Sequence, residues 1–538
     1  MATRKLEIEE HSHVVVGSGA AGVACAAGLL QRGLDVVMID VGTRPEDEAM
    51  QRIESLRRLP PHLWQAADIQ SLKGGVDASA SGILKKLVYG SSFAYGDPYG
   101  VFHCERQGIK GDFSFALGGL TNAWGACMLP CRPSEISGWP ITFADLEPHY
   151  RAVLDFVPLA GWRDGLADQF PLFTSRPVAL RNGLQAEDVL RSCAAHRQSL
   201  EMAGIHVGNP RLAVYSASRY AENGCVYCGM CMYGCPYELI YKSGDSLQEW
   251  LKLGKMRYVD RLFVEQVGDR GRTATLRARD LTSGETLQID CARIYLAAGT
   301  IPTTKLILDS LQYYNKRISA LDSQMFLTPV FKSHATPGFV EDEQFTLTQL
   351  FFELVDRREC ARSVHFQIYP YNDLVGKAVK QFFPRRVWES AVFKNQALSR
   401  LMIMQGLLDS KYSPSLDFTL RRDSDRTVLC IRGVPNPRTR GVIRAALWKI
   451  ARHGRKLGAF AVPFFARLGS PGQSYHCGGS FPMSAAPRGL ETDSLGRVAG
   501  LGRVHAVDAS VLPSIPPTTI TFTVMANAHR IASQGPSS

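Results

Sequence analysis

Near its start the chain runs through a short apolar stretch, a glycine turn and a run of small residues. HVVV at residues 13–16 predicts a short buried strand, and GSGAAG follows at once. VACAAGLLQRG then predicts a helix with Gly33 at its end, and DVVMID a second strand closing on Asp40. Between residues 347 and 433 the pattern changes. LTQLFFELVD, SVHFQIYPY, LMIMQGLL, SLDFTLRRD and TVLCIRG predict successive strands rich in β-branched and aromatic residues. No helices alternate with them, so an antiparallel sheet is expected.

Two stretches combine helical apolar spacing with excess positive charge. GVIRAALWKIARHGRKLGAF places Ile443, Leu447, Ile450 and Leu457 on one face, with Arg444, Lys449, Arg452, Arg455 and Lys456 over much of the remainder. LVGKAVKQFFPRRVWESAVFKNQALSRL mixes Lys377, Lys380, Arg385 and Arg386 with Phe382, Phe383 and Trp388. Either these are solvated helices packed on a domain, or they form a patch for a membrane surface.

With 538 residues, 45% hydrophobic and 21% charged, the chain has room for two or three domains. No run of eighteen apolar residues suggests a spanning helix. The charged start lacks the apolar core of a signal peptide, so the expected location is cytoplasmic, at most peripheral on the inner face of a membrane. The net charge of +11 comes with no basic–aromatic nucleic-acid module, so no nucleic-acid partner is expected. Most of the thirteen cysteines are expected as buried thiols rather than disulfides.

The turn Gly17, Ser18, Gly19, Ala20, Ala21, Gly22 has the spacing G-x-G-x-x-G between a strand and a helix, with Asp40 about twenty residues on. The glycines allow a tight turn and close approach of backbone to a pyrophosphate. The helix N-terminus supplies N–H donors, and Asp40 can accept from a ribose hydroxyl. The spacing alone does not separate NAD from FAD. A plain glycine-rich turn in a doubly wound fold is the alternative.

Cys225, Cys228, Cys231 and Cys235 precede Pro236 in the spacing C-x2-C-x2-C-x3-C-P of a bacterial ferredoxin. The spacing points to an iron–sulfur cluster, 4Fe-4S, or 3Fe-4S if one iron is missing. A remote thiol such as Cys104, Cys127 or Cys131 is the other candidate for the fourth ligand. Zinc and plain buried thiols stay open as alternatives.

Three further stretches add to the turn: FALGGLTNAWGACMLPCRPSEISGWPITFADLEPHYRAV (115–153), IYLAAGTIPTTKLIL (294–308), and the pair SYHCGGSFPM and VHAVDASVLPSIPPTTITFTVMANAHRIA near the C-terminus. In this order they resemble the glucose–methanol–choline (GMC) oxidoreductases. The resemblance implies an α/β plus α+β fold in which a discontinuous FAD-binding Rossmann-like domain is roofed by a substrate domain built on an antiparallel sheet. The expected divisions are 1–312 for FAD, with the iron–sulfur insertion at about 220–245, then 313–470 for substrate and 471–538 returning to the FAD domain. Besides the turn and Asp40, the implied cofactor contacts are Gly118, Gly119, Trp124, Gly125, Ala126, Ala298, Gly299, Asp508, Ala509, Thr519 and Ile520. Trp124 stands where the family usually has Asn, a variation resembling the gluconate and fructose dehydrogenase branch.

His476 matches the family's catalytic histidine. The second catalytic position, usually His or Asn, falls on Thr519, which cannot act as a base near neutral pH. His476 is therefore expected to take the proton alone, with an apparent pKa of about 6 to 8. The N-terminus of the helix beginning near Thr521 is expected at the pyrimidine edge of the flavin, favouring its anionic reduced form. The implied activity is an FAD-dependent dehydrogenase acting on a hydroxyl (CH–OH) of a sugar, polyol or lipid-linked glycan. Its electrons leave through the cluster to an external acceptor, a quinone or redox protein. The alternatives are an alcohol oxidase forming hydrogen peroxide with structural cysteines, and a flavin-binding electron carrier.

Overall fold

The computed structural model describes residues 8–73, 77–78, 84–175, 177–356, 362–380, 384–424 and 426–535. HVVV forms strand β1 (His13–Val16), buried along its whole length. Helix α1 (Ala20–Gln31) follows the glycine turn, and β2 (Val36–Ile39) returns to pair parallel with β1. On the other side of β1 lies β3 (Arg293–Leu296), also parallel, which leads through a second tight turn into α2 (Thr300–Ser310). Leu501–Ala506 extends the sheet beside β3, and Arg257–Val259 extends it beside β2. An unbroken apolar run such as HVVV suits the middle of a parallel sheet, where both faces are covered. The strands of this sheet come from separated parts of the chain, so the domain is discontinuous, as expected.

The second large sheet is antiparallel. β4 (Leu350–Leu354), β5 (Val364–Tyr369) and β6 (Leu401–Leu408) are neighbours in that order. Met325–Lys332 flanks β6, and Ile205–Gly208, from before residue 312, flanks β4. The period of two sorts the side chains. Val364, Phe366 and Ile368 join Leu350, Phe352 and Leu354 in a core completed by Val189 of the helix Leu184–Ala195 and by Ile443 and Leu447 of α3 (Thr439–Arg452). Glu353, His365, Gln367, Tyr369 and Gln405 alternate onto the other face. That face turns toward the first domain, whose core takes in Phe351.

All five strands expected between residues 347 and 433 are present, but not in one sheet. Ser415–Asp423 and Arg426–Val434 form a hairpin in a separate four-stranded sheet with Arg317–Leu321 and Cys104–Gln107. Long-range pairing causes the split. The chain turns at Ser410–Tyr412 after β6, and the open edge of Arg426–Val434 is taken by the distant Cys104–Gln107 in parallel register. The chain ends in α4 (Thr521–Gln534), which packs along α1.

The basic stretches need correction. The apolar face of α3 is not available to a membrane, because Ile443, Leu447 and Ile450 are core residues of the antiparallel sheet. Lys449 is not on a solvated face either. It is buried, and its Nζ donates to Asp356 Oδ2 at 2.8 Å. Arg444, Arg452 and Arg455 do face solvent. The segment from residue 374 is no single helix. It breaks into Asp373–Lys380, Arg385–Glu389 and Ala391–Gln396 before β6, and Trp388 packs in a small cluster with Val375 and Leu398. Phe382 and Phe383 lie outside the described residues. No helix among the described residues is long and apolar enough to cross a membrane. The exposed apolar surface sits just beyond α3, where Phe464 is 82% and Phe465 68% exposed. Trp448 packs edge-on against Phe464 at 5.5 Å.

Removing one partner of a buried ion pair leaves the other charge uncompensated. Lys449→Ala is therefore expected to lower stability by about 3 kcal/mol, read from the midpoint shift in urea unfolding. A change within about 0.5 kcal/mol, the usual range for a surface substitution, would place Lys449 in solvent after all.

Candidate functional site

A cavity of about 630 Å³ opens where the first sheet ends. Three helices begin at its wall. Gly19 caps α1, Gly299 caps α2 and Ile520 caps α4, and all three residues line the cavity. Their unpaired N–H groups and positive dipole ends make this wall a place for anionic groups. Gly17, Ser18, Ala20, Ala21, Asp40, Gly119, Ala298, Asp508 and Ala509 line the same space. A Cβ built on Gly19 would project into it, meeting nothing nearer than Gly119 Cα at 4.0 Å.

The two acids serve different ends. Asp40 is buried, which pushes its carboxyl up to about 7 against the hydrogen bond donated by Ser18 Oγ. Near neutral pH it can therefore both accept and donate. Ser18 Oγ in turn accepts from the Gly118 N–H at 2.8 Å, tying the first turn to the 115–125 loop. Asp508 spends its carboxylate on local structure. It accepts from Gly299 N–H at 2.9 Å, Thr303 Oγ1 at 2.6 Å and Ser510 N–H at 2.9 Å, which fixes the start of α2.

Other expected residues stand behind the wall. Gly22 is inside α1. Trp124 Nε1 donates to Tyr241 O at 3.0 Å, while its own carbonyl accepts from Lys86 Nζ at 2.9 Å. Ala126 takes a left-handed conformation with φ 57°, and beside it Gly125 continues the loop toward Cys127. Thr519 is buried, and its Oγ1 donates to Cys127 O at 3.2 Å, so the hydroxyl proton is committed to backbone.

His476 sits between Tyr475 and Cys477, which both line the cavity. Its backbone is held by Ser323 N–H, which donates to His476 O at 3.1 Å, while its buried Nδ1 has no partner. The ring is thus not used up on a loop carbonyl. Burial first, and the charge of His365 second, lower its pKa to about 4. The imidazole is neutral through the physiological range, and the expected titration at about 6 to 8 does not belong to it.

His365 and its partner Glu353 escaped the sequence reading. They are polar residues inside LFFEL and VHFQIY, where the apolar neighbours dominate the pattern. A glutamate and a histidine at inward-facing positions of two predicted strands were the available signal.

The twelve described cysteines are free thiols, six of them buried and six partly exposed. The 225–235 loop bends through left-handed Gly224, Tyr227, Gly229 and Gly234. Two backbone N–H groups reach sulfur here. Tyr227 donates to Cys225 Sγ and Thr346 to Cys231 Sγ, each at 3.4 Å. Burial, then the neighbouring Cys231, pushes Cys225 up to about 12 and Cys235 up to about 11. Without a cation these thiols stay protonated; coordination would deprotonate them. Lys86, lowered by burial to about 8, lies within charge range of Cys231, Cys127 and Cys235. Among the described residues no three His, Cys, Asp or Glu side chains gather as a metal-binding group.

Residues 460–528, which include His476, Asp508 and Thr519, match the family model described as GMC oxidoreductase. Pyridoxine 4-oxidase from Mesorbium loti is similar in structure, with TM-score 0.61 and 14% identity over 98% of this chain and 99% of that one. Formate oxidase from Aspergillus oryzae RIB40 has TM-score 0.59 and 12% identity over 97% of this chain and 98% of its own. No curated protein matches the sequence. The chain therefore carries a GMC oxidoreductase C-terminal segment within the fold of these two oxidases, a mixed α/β architecture.

FAD is the cofactor expected of a GMC oxidoreductase. Since Gly19 faces the cavity at the start of α1, Gly19→Val should give folded protein without flavin. Flavin released on denaturation, in proportion to protein as in the wild type, would contradict the placement of the turn.

Proposed function

We propose that this protein is an FAD-dependent dehydrogenase oxidising a CH–OH group of a sugar, polyol or lipid-linked glycan, with electrons leaving through an iron–sulfur cluster. The observation that carries the reading is the cavity on which three helix N-termini converge, with the unpaired imidazole of His476 at its side. Bound there, FAD would supply the two-electron oxidant. Gly17 to Ala21, the Ala298–Gly299 turn and Ile520 would hold its phosphates and ring, and Asp40 its ribose. His476, neutral and unpaired, would meet the substrate hydroxyl, while Thr519 only anchors the loop at Cys127.

The polar roof supports a polyhydroxylated substrate. Gln367 and Gln405 are cross-strand partners, and Tyr369 Oη donates to Gln367 Oε1 at 2.9 Å. Tyr369 also lies within charge range of Cys127, at the loop expected beside the flavin.

The support for the cluster is the spacing of Cys225, Cys228, Cys231 and Cys235, although the described thiols do not stand gathered as a metal-binding group. When bound, the cluster would supply a one-electron exit toward a quinone or redox protein. Lys86 connects the two places, with its Nζ on Trp124 O and its charge beside Cys231 and Cys235. The peripheral-membrane part of the reading moves to Phe464, Phe465 and Trp448. They stand in a stretch, residues 426–490, without a single Asp or Glu. An otherwise cytoplasmic protein would meet an anionic inner leaflet there.

Cys228→Ser should lose iron, keep FAD and slow turnover with an external acceptor. Iron content equal to the wild type would remove the cluster, and flavin without iron in the wild type would favour the alcohol oxidase. Phe464→Ser/Phe465→Ser should weaken co-sedimentation with phosphatidylglycerol vesicles; no binding by the wild type would end the membrane part.

A further inference from the structure

The roof holds a buried acid–imidazole pair that the function above leaves without a task. Glu353 on β4 and His365 on β5 are direct cross-strand partners, and both are 0% exposed. His365 Nδ1 is hydrogen-bonded to Glu353 Oε1. The other ring nitrogen, Nε2, is buried and has no partner among the described residues. A carboxylate on Nδ1 fixes the tautomer in which that nitrogen carries the proton and Nε2 keeps its lone pair. Such an imidazole is ready to accept a proton.

Further charged groups surround the pair. Arg132 stands 3.5 Å from Glu353 Oε2 and donates to Glu135 Oε1 through Nη2 at 2.6 Å and Nε at 3.0 Å. Two buried carboxylates therefore face one guanidinium. His206, opposite Glu353 on the flanking strand, and His476 are further titratable groups near the pair among the described residues. His476 has no carboxylate on its ring, and burial disfavours its charged form. Position points the same way. His365 lies on the sheet face turned toward the cavity domain, its ring edge-on to Phe351 at 4.8 Å, and Phe351 belongs to that domain's core.

We propose that His365 takes the hydroxyl proton of the substrate, with Glu353 as its positioning residue, in the role that Thr519 cannot fill. The assignment rests on the functional reading above. In the step, the O–H bond breaks and its proton goes to Nε2. The C–H bond breaks with its electron pair and hydrogen passing to the FAD of that reading, and C=O remains. Glu353 balances the imidazolium as it forms. His476 stays neutral and holds the same hydroxyl by a hydrogen bond.

The test uses FAD-loaded protein mixed anaerobically with glycerol, D-glucose and benzyl alcohol, following flavin bleaching from acid to alkaline pH. His365→Asn is expected to keep FAD and bleach about 10²–10⁴-fold more slowly. Glu353→Gln is expected to slow bleaching less and to move the midpoint of the pH-dependent rise to lower pH, because the imidazolium loses its carboxylate. A merely structural pair would leave that midpoint alone. Since His365→Asn strands a buried carboxylate, the double variant Glu353→Gln/His365→Asn is measured beside it and is expected to fold and to be equally slow. Wild-type rates in either His365 variant, or an unmoved midpoint in Glu353→Gln, overturn the assignment. A wild type bleached by none of the alcohols overturns the functional reading itself, and this assignment with it.

Discussion

At the end of β1 two backbones meet with no room for a side chain between them. A Cβ on Gly17, where φ is +103°, would stand 2.7 Å from Ala297 O, and one on Gly22 would stand 1.9 Å from Gly17 O. This contact locks the turn before α1 against the turn before α2. It brings the start of the chain and its middle to one place, and Asp508 ties the C-terminal segment to the same turn. The three helix N-termini, and so the cavity, depend on it.

The antiparallel sheet sorts its side chains between two neighbours. β4, β5 and β6 turn their apolar positions toward α3 and their polar positions toward the cavity domain. One strand period thus does two jobs, building a core on one side and a polar face on the other. The same placement explains why Lys449 and Asp356 are paired in the interior, and why α3 contributes packing while Phe464 and Phe465 remain outside.

Much of this was legible in the sequence because it is written locally. HVVV, GSGAAG and DVVMID lie within thirty residues and carry their own periodicity, and the five later strands were each visible as β-branched runs. What was not legible depends on partners far along the chain. Nothing near Arg426–Val434 indicates that Cys104–Gln107 will take its edge. Lys449 lies on the charged side of a helical wheel until Asp356 arrives from another element. Glu353 and His365 are ordinary polar residues in two strands until register sets them opposite each other. Only the folded sheet brings the His365 imidazole within charge range of His476.

The central claim is that the cavity holds a flavin which an alcohol can reduce. Its most direct measurement is the absorption spectrum of the purified protein under nitrogen, recorded before and after addition of a polyol or aldose. The account predicts flavin bands that fade on mixing and return when an external acceptor is supplied. Protein without flavin bands, releasing no flavin on denaturation even after incubation with FAD, would contradict it.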